Sequence, residues 1–238
     1  MNIALIGYGR MGHEVESAAL ERGHAVKVII DEMNIGDMKP ENFRDIDAAI
    51  EFSVPGSAFS NISKCLEMGV PVVSGTTGWL HDYDKAVRLC IKYGTSFIHS
   101  TNFSIGVNIL FRLNSDLAGL MERYGNYRPS IEEIHHVRKL DAPSGTALTL
   151  AKAITTRHNQ YRGWSSGETT AANTIPVNSV REGNVPGTHI VAWSSEIDTI
   201  VISHEAKSRK GFAHGAVVAA EFISGRKGVF TMDDVLGF

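Results

Sequence analysis

The chain has 238 residues, 43% of them hydrophobic and 21% charged, enough to bury one large core or two modest ones. A formal net charge of -3 argues against a nucleic-acid partner, which would need a basic face. No apolar run approaches the roughly 18 residues that span a bilayer, and the opening Met-Asn-Ile-Ala-Leu-Ile-Gly lacks the basic start of a signal peptide.

In chain order, Asn2–Ile6 reads as a short strand that runs into the turn Gly7-Tyr8-Gly9-Arg10-Met11-Gly12. A helical pattern follows from Met11 to about Arg22 and stops at Gly23; a second strand, Ala25–Ile30, closes on Asp31. Met33–Asp47 is polar and broken by Gly36 and Pro40, which predicts a loop. Then come a strand at Ala48–Phe52, a helix at Ser57–Met68, a strand at Val70–Ser74, a helix at Asp82–Tyr93 and a strand at Thr95–His99. This alternation predicts a parallel sheet wrapped by helices. Cys65 and Cys90 lie in amphipathic stretches without metal or CxxC spacing, so they read as two buried free thiols in a reducing cytoplasm.

Beyond Asn102 the pattern changes. Ile105–Arg123 reads as one long helix, Ser130–Val137 as a strand and Ala147–His158 as a helix. Ser179–Glu182, His189–Ser194 and Thr199–His204 suggest a mostly antiparallel sheet, Tyr161–Asn173 a mobile loop, and Gly215–Ser224 a closing helix. The expected organisation is two domains: residues 1–104 with 215–238 as a Rossmann-type unit, and 105–214 as an α+β unit with an open mixed sheet.

Two stretches carry chemistry. GxGxxG alone is a weak signal, but here it follows a strand and opens a helix, and Asp31 stands 19 residues beyond Gly12, where a ribose-binding carboxylate belongs. The glycines let the backbone approach a pyrophosphate, and the helix N-terminus offers N–H groups and a positive dipole end. Asp31-Glu32 would hydrogen-bond a free 2′-hydroxyl and repel a 2′-phosphate, so NADH is expected to be preferred, with NADPH usable. Gly75-Thr76-Thr77-Gly78 and Ser100-Thr101-Asn102-Phe103 follow predicted parallel strands and are candidates for cofactor or substrate contacts; ordinary turn chemistry is the alternative.

The second stretch runs from His135 to Ala147. It combines His135 and His136, Arg138 and Lys139, and a Pro143-Ser144-Gly145-Thr146 turn that opens an apolar helix. The N–H groups of Ser144, Gly145 and Thr146 suit a carboxylate, Lys139 adds a compact charge, and one histidine can donate a proton near neutral pH. In a regular strand His135 and His136 point to opposite faces, so both serve one ligand only if the strand ends there. The remaining histidines are scattered, and no metal site is predicted.

The chain resembles the dihydrodipicolinate reductase family. GYGRMG, EFSVP at 51–55, SGTTG at 74–78, TNFSIGVN at 101–108, EIHHVRKLDAPSGTAL at 133–148, REGNVPGTH at 181–189 and SHEAKSRKGFAHGA at 203–216 carry the resemblance in order. It implies a Rossmann domain built from both chain ends and a substrate domain that forms a homotetramer. It also implies hydride transfer from NAD(P)H to a cyclic unsaturated dicarboxylate. His135 would be the general acid/base and Lys139 its partnering proton donor or carboxylate binder. His136, Ser144, Gly145 and Thr146 would contact substrate, while Gly7 to Gly12, Asp31, Gly75 to Thr77 and Ser100 to Phe103 would contact cofactor. Arg209 and Phe212 match positions near the family's interdomain hinge. Where the family often has an acid–arginine pair, this chain has Asp31-Glu32, and Met33–Asp47 is short for a Rossmann helix. A dehydrogenase of another small acid and an NADH-sensing regulator are the rival readings.

Overall fold

A computed structural model describes residues 1–167 and 171–238. The elements in chain order are β1 (Asn2–Ile6), α1 (Arg10–Glu21), β2 (Ala25–Ile30), a 3-10 turn (Ile35–Asp37), α2 (Pro40–Phe43), β3 (Ala48–Glu51), α3 (Pro55–Glu67), β4 (Val72–Ser74), a second 3-10 turn (Leu80–Asp82), α4 (Tyr83–Tyr93) and β5 (Ser96–His99). The chain continues through α5 (Ile105–Met121), β6 (Arg128–His135), α6 (Gly145–Arg157), β7 (Gly163–Ser166), β8 (Thr174–Arg181), β9 (Thr188–Ser194) and β10 (Thr199–Glu205). It ends in α7 (Lys210–Ile223), β11 (Gly228–Phe230) and α8 (Met232–Leu236). Two compact units result, Met1–Ile105 with Lys210–Phe238, and Gly106–Arg209. No helix of the described residues is long and apolar enough to cross a membrane.

In the first unit six parallel strands lie in the order β11-β5-β4-β3-β1-β2. Alternate residues of β1 feed opposite faces: Ile3 and Leu5 enter one core with Val15, Ala216 and Val217, and Ala4 and Ile6 enter the other with Ile62, Trp79 and Phe97. Both faces are thus dry, which is why these strands read as unbroken apolar runs. Chain order reverses across β1, with β2 on one side and β3 on the other, and a ligand of such a sheet binds at the carboxyl ends of the strands beside that switch.

In the second unit the sheet runs β10-β9-β6-β8-β7. β9 pairs antiparallel with β6 and β10, whereas β8 pairs parallel with β6 and β7. The sheet is therefore mixed, as the expected organisation has it, with parallel pairings where the short strand candidates alone suggested a mostly antiparallel sheet. One face packs on α5 and α6 through Ile131, Val177, Val191, Trp193, Leu150 and Ile154.

Several local expectations change. The Met33–Asp47 segment contains a 3-10 turn and the four-residue α2, whose Phe43 is buried. That buried anchor makes a short helix out of a polar stretch. β7 lies inside the predicted Tyr161–Asn173 loop, where ladder pairing with β8 overrides a Gly/Ser-rich sequence; residues 168–170 of that loop lie outside the described residues. β8 begins at Thr174 rather than Ser179, α7 begins at Lys210 rather than Gly215, and β11 and α8 had no periodicity long enough to announce them.

Candidate functional site

The first cluster sits at the carboxyl ends of β1, β2 and β3. A cleft of about 570 Å³ is lined by Ile6, Gly7, Tyr8 and Gly9, by Asp31, Glu32 and Met33, and by Phe52 and Ser53. A second, of about 330 Å³, is lined by Gly9, Arg10, Met11, Phe52, Ser53, Gly75, Thr76 and Thr77. Gly7, Tyr8, Gly9, Arg10, Met11, Asp31, Gly75, Thr76 and Thr77 therefore share these clefts. Gly12 is buried in α1, and Ser100–Phe103 are not among the lining residues.

The glycines have separate reasons. Gly7 has φ +90°, and a Cβ there would lie 2.2 Å from the Phe52 carbonyl oxygen. A Cβ on Gly12 would lie 2.5 Å from the Gly7 oxygen, whereas one on Gly9 would meet nothing within 4 Å. The first two glycines permit close packing, and the third leaves bare backbone facing open space. Gly9 caps α1 with no side-chain hydrogen bond, and no acid stands in the helix's first turn. Its leading N–H groups are left for an anion, an arrangement that suits the pyrophosphate of a dinucleotide. Arg10, exposed on the second cleft, adds charge of the right sign.

Asp31 already works locally: its Oδ1 accepts from the Met33 N–H (2.8 Å), while its own N–H donates to Asn34 (2.7 Å). Behind the cleft, Glu51 is 1% exposed and accepts from the Ser53 N–H (2.9 Å), Ser74 Oγ (2.7 Å) and Thr76 Oγ1 (2.7 Å). Ser53 N–H also donates to Thr76 Oγ1 (2.8 Å). A single buried carboxylate thus pins the turns after β3 and β4, and the Thr76 hydroxyl is spent inside the protein. Ser100 and Asn102 bond within their own turn in the same manner.

The second cluster forms where β6 ends. Its last residue is His135, so the strand stops before His136, as serving one ligand with both would require. Alternation puts Glu133 and His135 on the same face of β6, and the antiparallel register places His189 of β9 directly opposite Glu133. Glu133 has no exposure, His135 7% and His189 4%. Nδ1 of His135 lies 3.2 Å from Glu133 Oε2 and Nε2 of His189 lies 3.9 Å from it; the two imidazoles meet edge-on at 5.0 Å. The other carboxylate oxygen, Oε1, accepts from Arg181 of β8 (2.8 Å) and from the Ser144 N–H (3.0 Å).

These contacts set the charges. Burial alone would raise the Glu133 carboxyl, but its His135, Ser144, Arg181 and Ser179 neighbours outweigh that and hold it far below the usual carboxylate range. Burial, reinforced by neighbouring His135, pushes His189 down to about 4, so it is neutral near pH 7. Partial desolvation and the nearby Arg138 and Arg209 also lower His136.

From His135 the chain turns through Lys139 to α6. Ser144 is the N-cap and its Oγ accepts from Ala147 N–H (3.3 Å), as a Ser in that position should. The Ser144 N–H, expected to face a ligand, instead goes to Glu133. Gly145 stays exposed at the helix start. Lys139 Nζ sits 2.8 Å from Asp141 Oδ1, and Arg181 also donates to the Asp141 carbonyl (2.6 Å). Glu133, Arg181 and His189 were not singled out from the sequence. The readable signal was Glu133 two residues before His135, hence on its face. The three groups Glu133, His135 and His189 could also hold a cation, which the sequence, with no His/Cys spacing, did not suggest.

Comparison with known proteins gives a consistent picture. A family model described as "Dihydrodipicolinate reductase, N-terminus" matches residues 1–103, and one described as "Dihydrodipicolinate reductase, C-terminus" matches residues 106–236. The chain is 51% identical over 238 residues to a 4-hydroxy-tetrahydrodipicolinate reductase of Christiangramia forsetii, covering 99% of this chain and 98% of that one. It is 32% identical to one from Alkaliphilus metalliredigens, covering 96% and 95%. Among solved structures, a dipicolinate-bound dihydrodipicolinate reductase from Paenisporosarcina sp. TG-14 shares the fold with a TM-score of 0.78 at 23% identity, over 97% of each chain.

Proposed function

The chain belongs to the dihydrodipicolinate reductase family, NAD(P)H-dependent oxidoreductases of the diaminopimelate route to lysine, and we propose that it reduces 4-hydroxy-tetrahydrodipicolinate to tetrahydrodipicolinate with His135 as proton donor. The observation that carries the reading is the end of β6. A buried imidazole, a lysine and a helix N-terminus stand within one short turn, which is what a reaction on a cyclic dicarboxylate needs.

Bound NAD(P)H supplies the hydride. In our reading Gly7, Tyr8, Gly9, Arg10, Met11 and Gly12 hold its pyrophosphate, Asp31 its ribose, and Gly75, Thr76, Thr77 and Ser100 to Phe103 border its nicotinamide end. Asp31 and Glu32 on the cleft favour NADH over NADPH, because a 2′-phosphate would meet two carboxylates. His136, Lys139, Gly145 and Thr146 hold the substrate carboxylates, with Ser144, whose own N–H goes to Glu133, capping the helix start that faces them. To reach one, Lys139 exchanges Asp141 for the ligand, a small cost because that ion pair is partly exposed. After loss of water the ring is a conjugated imine, to which bound NAD(P)H would supply the hydride, and His135 delivers the balancing proton at the carbon neighbouring the one reduced. The working form is a homotetramer in the cytoplasm, where Cys65 and Cys90, both buried, stay as free thiols.

The test is NADH oxidation with substrate made in situ by a dihydrodipicolinate synthase from pyruvate and aspartate semialdehyde. Turnover that requires the synthase and disappears in His135→Ala supports the reading; tight NADH binding without turnover sinks it.

A further inference from the structure

We propose that Glu133 is a positioning residue that fixes the tautomer of His135, keeping the proton on Nδ1 and leaving Nε2 as the atom that gives and takes protons. This rests on the reading of His135 as the acid.

Oε2 of Glu133 and Nδ1 of His135 are both buried without a hydrogen-bond partner among the described residues, as are Ser179 Oγ, Arg181 Nε and His189 Nδ1 nearby, and the first two lie 3.2 Å apart. They are within hydrogen-bond distance but not aligned as a hydrogen bond, and a turn of the imidazole that aligned them would satisfy both. Leaving a buried polar atom without a partner is unfavourable, which drives that turn. The carboxylate cannot turn away, because Arg181 and the Ser144 N–H hold its other oxygen. An ionised carboxylate only accepts, so the shared proton must sit on Nδ1. The far nitrogen, Nε2, takes no hydrogen bond among the described residues, and it faces Gly187, where even a Cβ would come within 3.0 Å. Which imidazole nitrogen carries the proton follows from the hydrogen bond made by the other.

The charged and titratable groups around the pair come from every neighbouring element. Arg181 faces Glu133 from β8, His189 faces both from β9, His204 stands behind His189 on β10, and Lys139 and Asp141 lie in the turn. Neutral His189 adds no cation beside the imidazole, and Glu133 is the carboxylate that faces Nδ1.

The isosteric change Glu133→Gln separates this role from anchoring. Its amide oxygen still accepts from Arg181 and Ser144, but an NH2 group now faces Nδ1 and reverses the tautomer. The first experiment needs no variant: nitrogen NMR of the histidine-labelled protein, with His135 assigned from the spectrum of His135→Ala. The neutral ring should carry its proton on Nδ1, and a proton on Nε2 overturns the proposal. In Glu133→Gln the tautomer should reverse and kcat should fall by about 10- to 10²-fold with KM little changed. Glu133→Asp should restore part of the rate. An unchanged tautomer and an unchanged kcat in a folded Glu133→Gln protein refute the role; if that variant does not fold, the NMR of the unaltered protein decides. Full turnover in His135→Ala would instead remove the acid reading itself, whatever the tautomer.

Discussion

The two clusters are built from different materials. At the ends of β1, β2 and β3 the working surface is backbone: bare glycine, an uncapped helix start, and side chains such as Glu51 and Thr76 that face inward to brace the turns. At the end of β6 the working surface is side chain, a buried carboxylate and two imidazoles whose charges depend on one another. The first should fail when atoms are added, and the second when charge is removed. A recognition surface for a common cofactor needs shape, whereas a proton-transfer site needs a controlled protonation state.

The largest effect expected from this contrast is on chemistry. His135→Ala should lower kcat by about 10²- to 10⁴-fold while the NADH dissociation constant, followed by fluorescence, stays within error. Equal losses in both would mean the two clusters are not separable. Lys139→Ala should lower kcat/KM by roughly 10- to 10²-fold, shared between weaker substrate affinity and slower turnover, since it removes a charged donor. Steady-state kinetics in which only kcat moved would assign it to proton transfer alone.

On the steric side, Gly7→Ala forces a side chain into φ +90° and against the Phe52 carbonyl. Strain of about 1–3 kcal/mol is expected from the dihedral alone, read as a lower Tm and weaker NADH binding. The imidazole NMR signals of His135 and His189 should not move. Charge removal is also tested by acid. His189 is depressed from its ordinary value to about 4, so the unfolded chain binds a proton between those limits that the folded one does not. Stability should therefore fall as pH drops from about 6.5 to 4, by something on the order of 2 kcal/mol, and His189→Gln should flatten that part of the Tm–pH curve. Glu133 runs on a lower window: its depressed carboxyl contributes stability above the ordinary carboxylate range and loses it as pH falls further. Smallest is the cofactor preference, about tenfold in kcat/KM for NADH. A tenfold advantage for NADPH would show that Arg10 outweighs the two acids.

The sequence made the first unit readable because a buried parallel sheet leaves apolar runs of the right length, and GxGxxG obeys local turn rules. What stayed hidden there was Glu51, since a lone acid in an apolar strand has no local signature until Ser53, Ser74 and Thr76 arrive from other segments. In the second unit His135, Lys139 and the Ser144 cap were legible from one contiguous stretch. Arg181 and His189 were not, because strand register, not spacing, brings them to Glu133. The same register explains the mixed sheet: β8 runs parallel to β6, a pairing no local pattern announces. α2, β7, β11 and α8 are too short for periodicity to decide.

Phe52 carries a consequence for how this chain can change over time. Its carbonyl oxygen fills the place of a Gly7 side chain, and its ring lies 2.0 Å from where a Gly75 Cβ would stand. The ring can be traded for a smaller one, but the carbonyl cannot be traded at all. A lineage that first shrinks Phe52 could later accept Ala at 75, whereas the reverse order passes through a damaged intermediate. Gly7 stays locked on either path. One residue thus makes one glycine negotiable and the other permanent, and drift around this cleft acquires a direction.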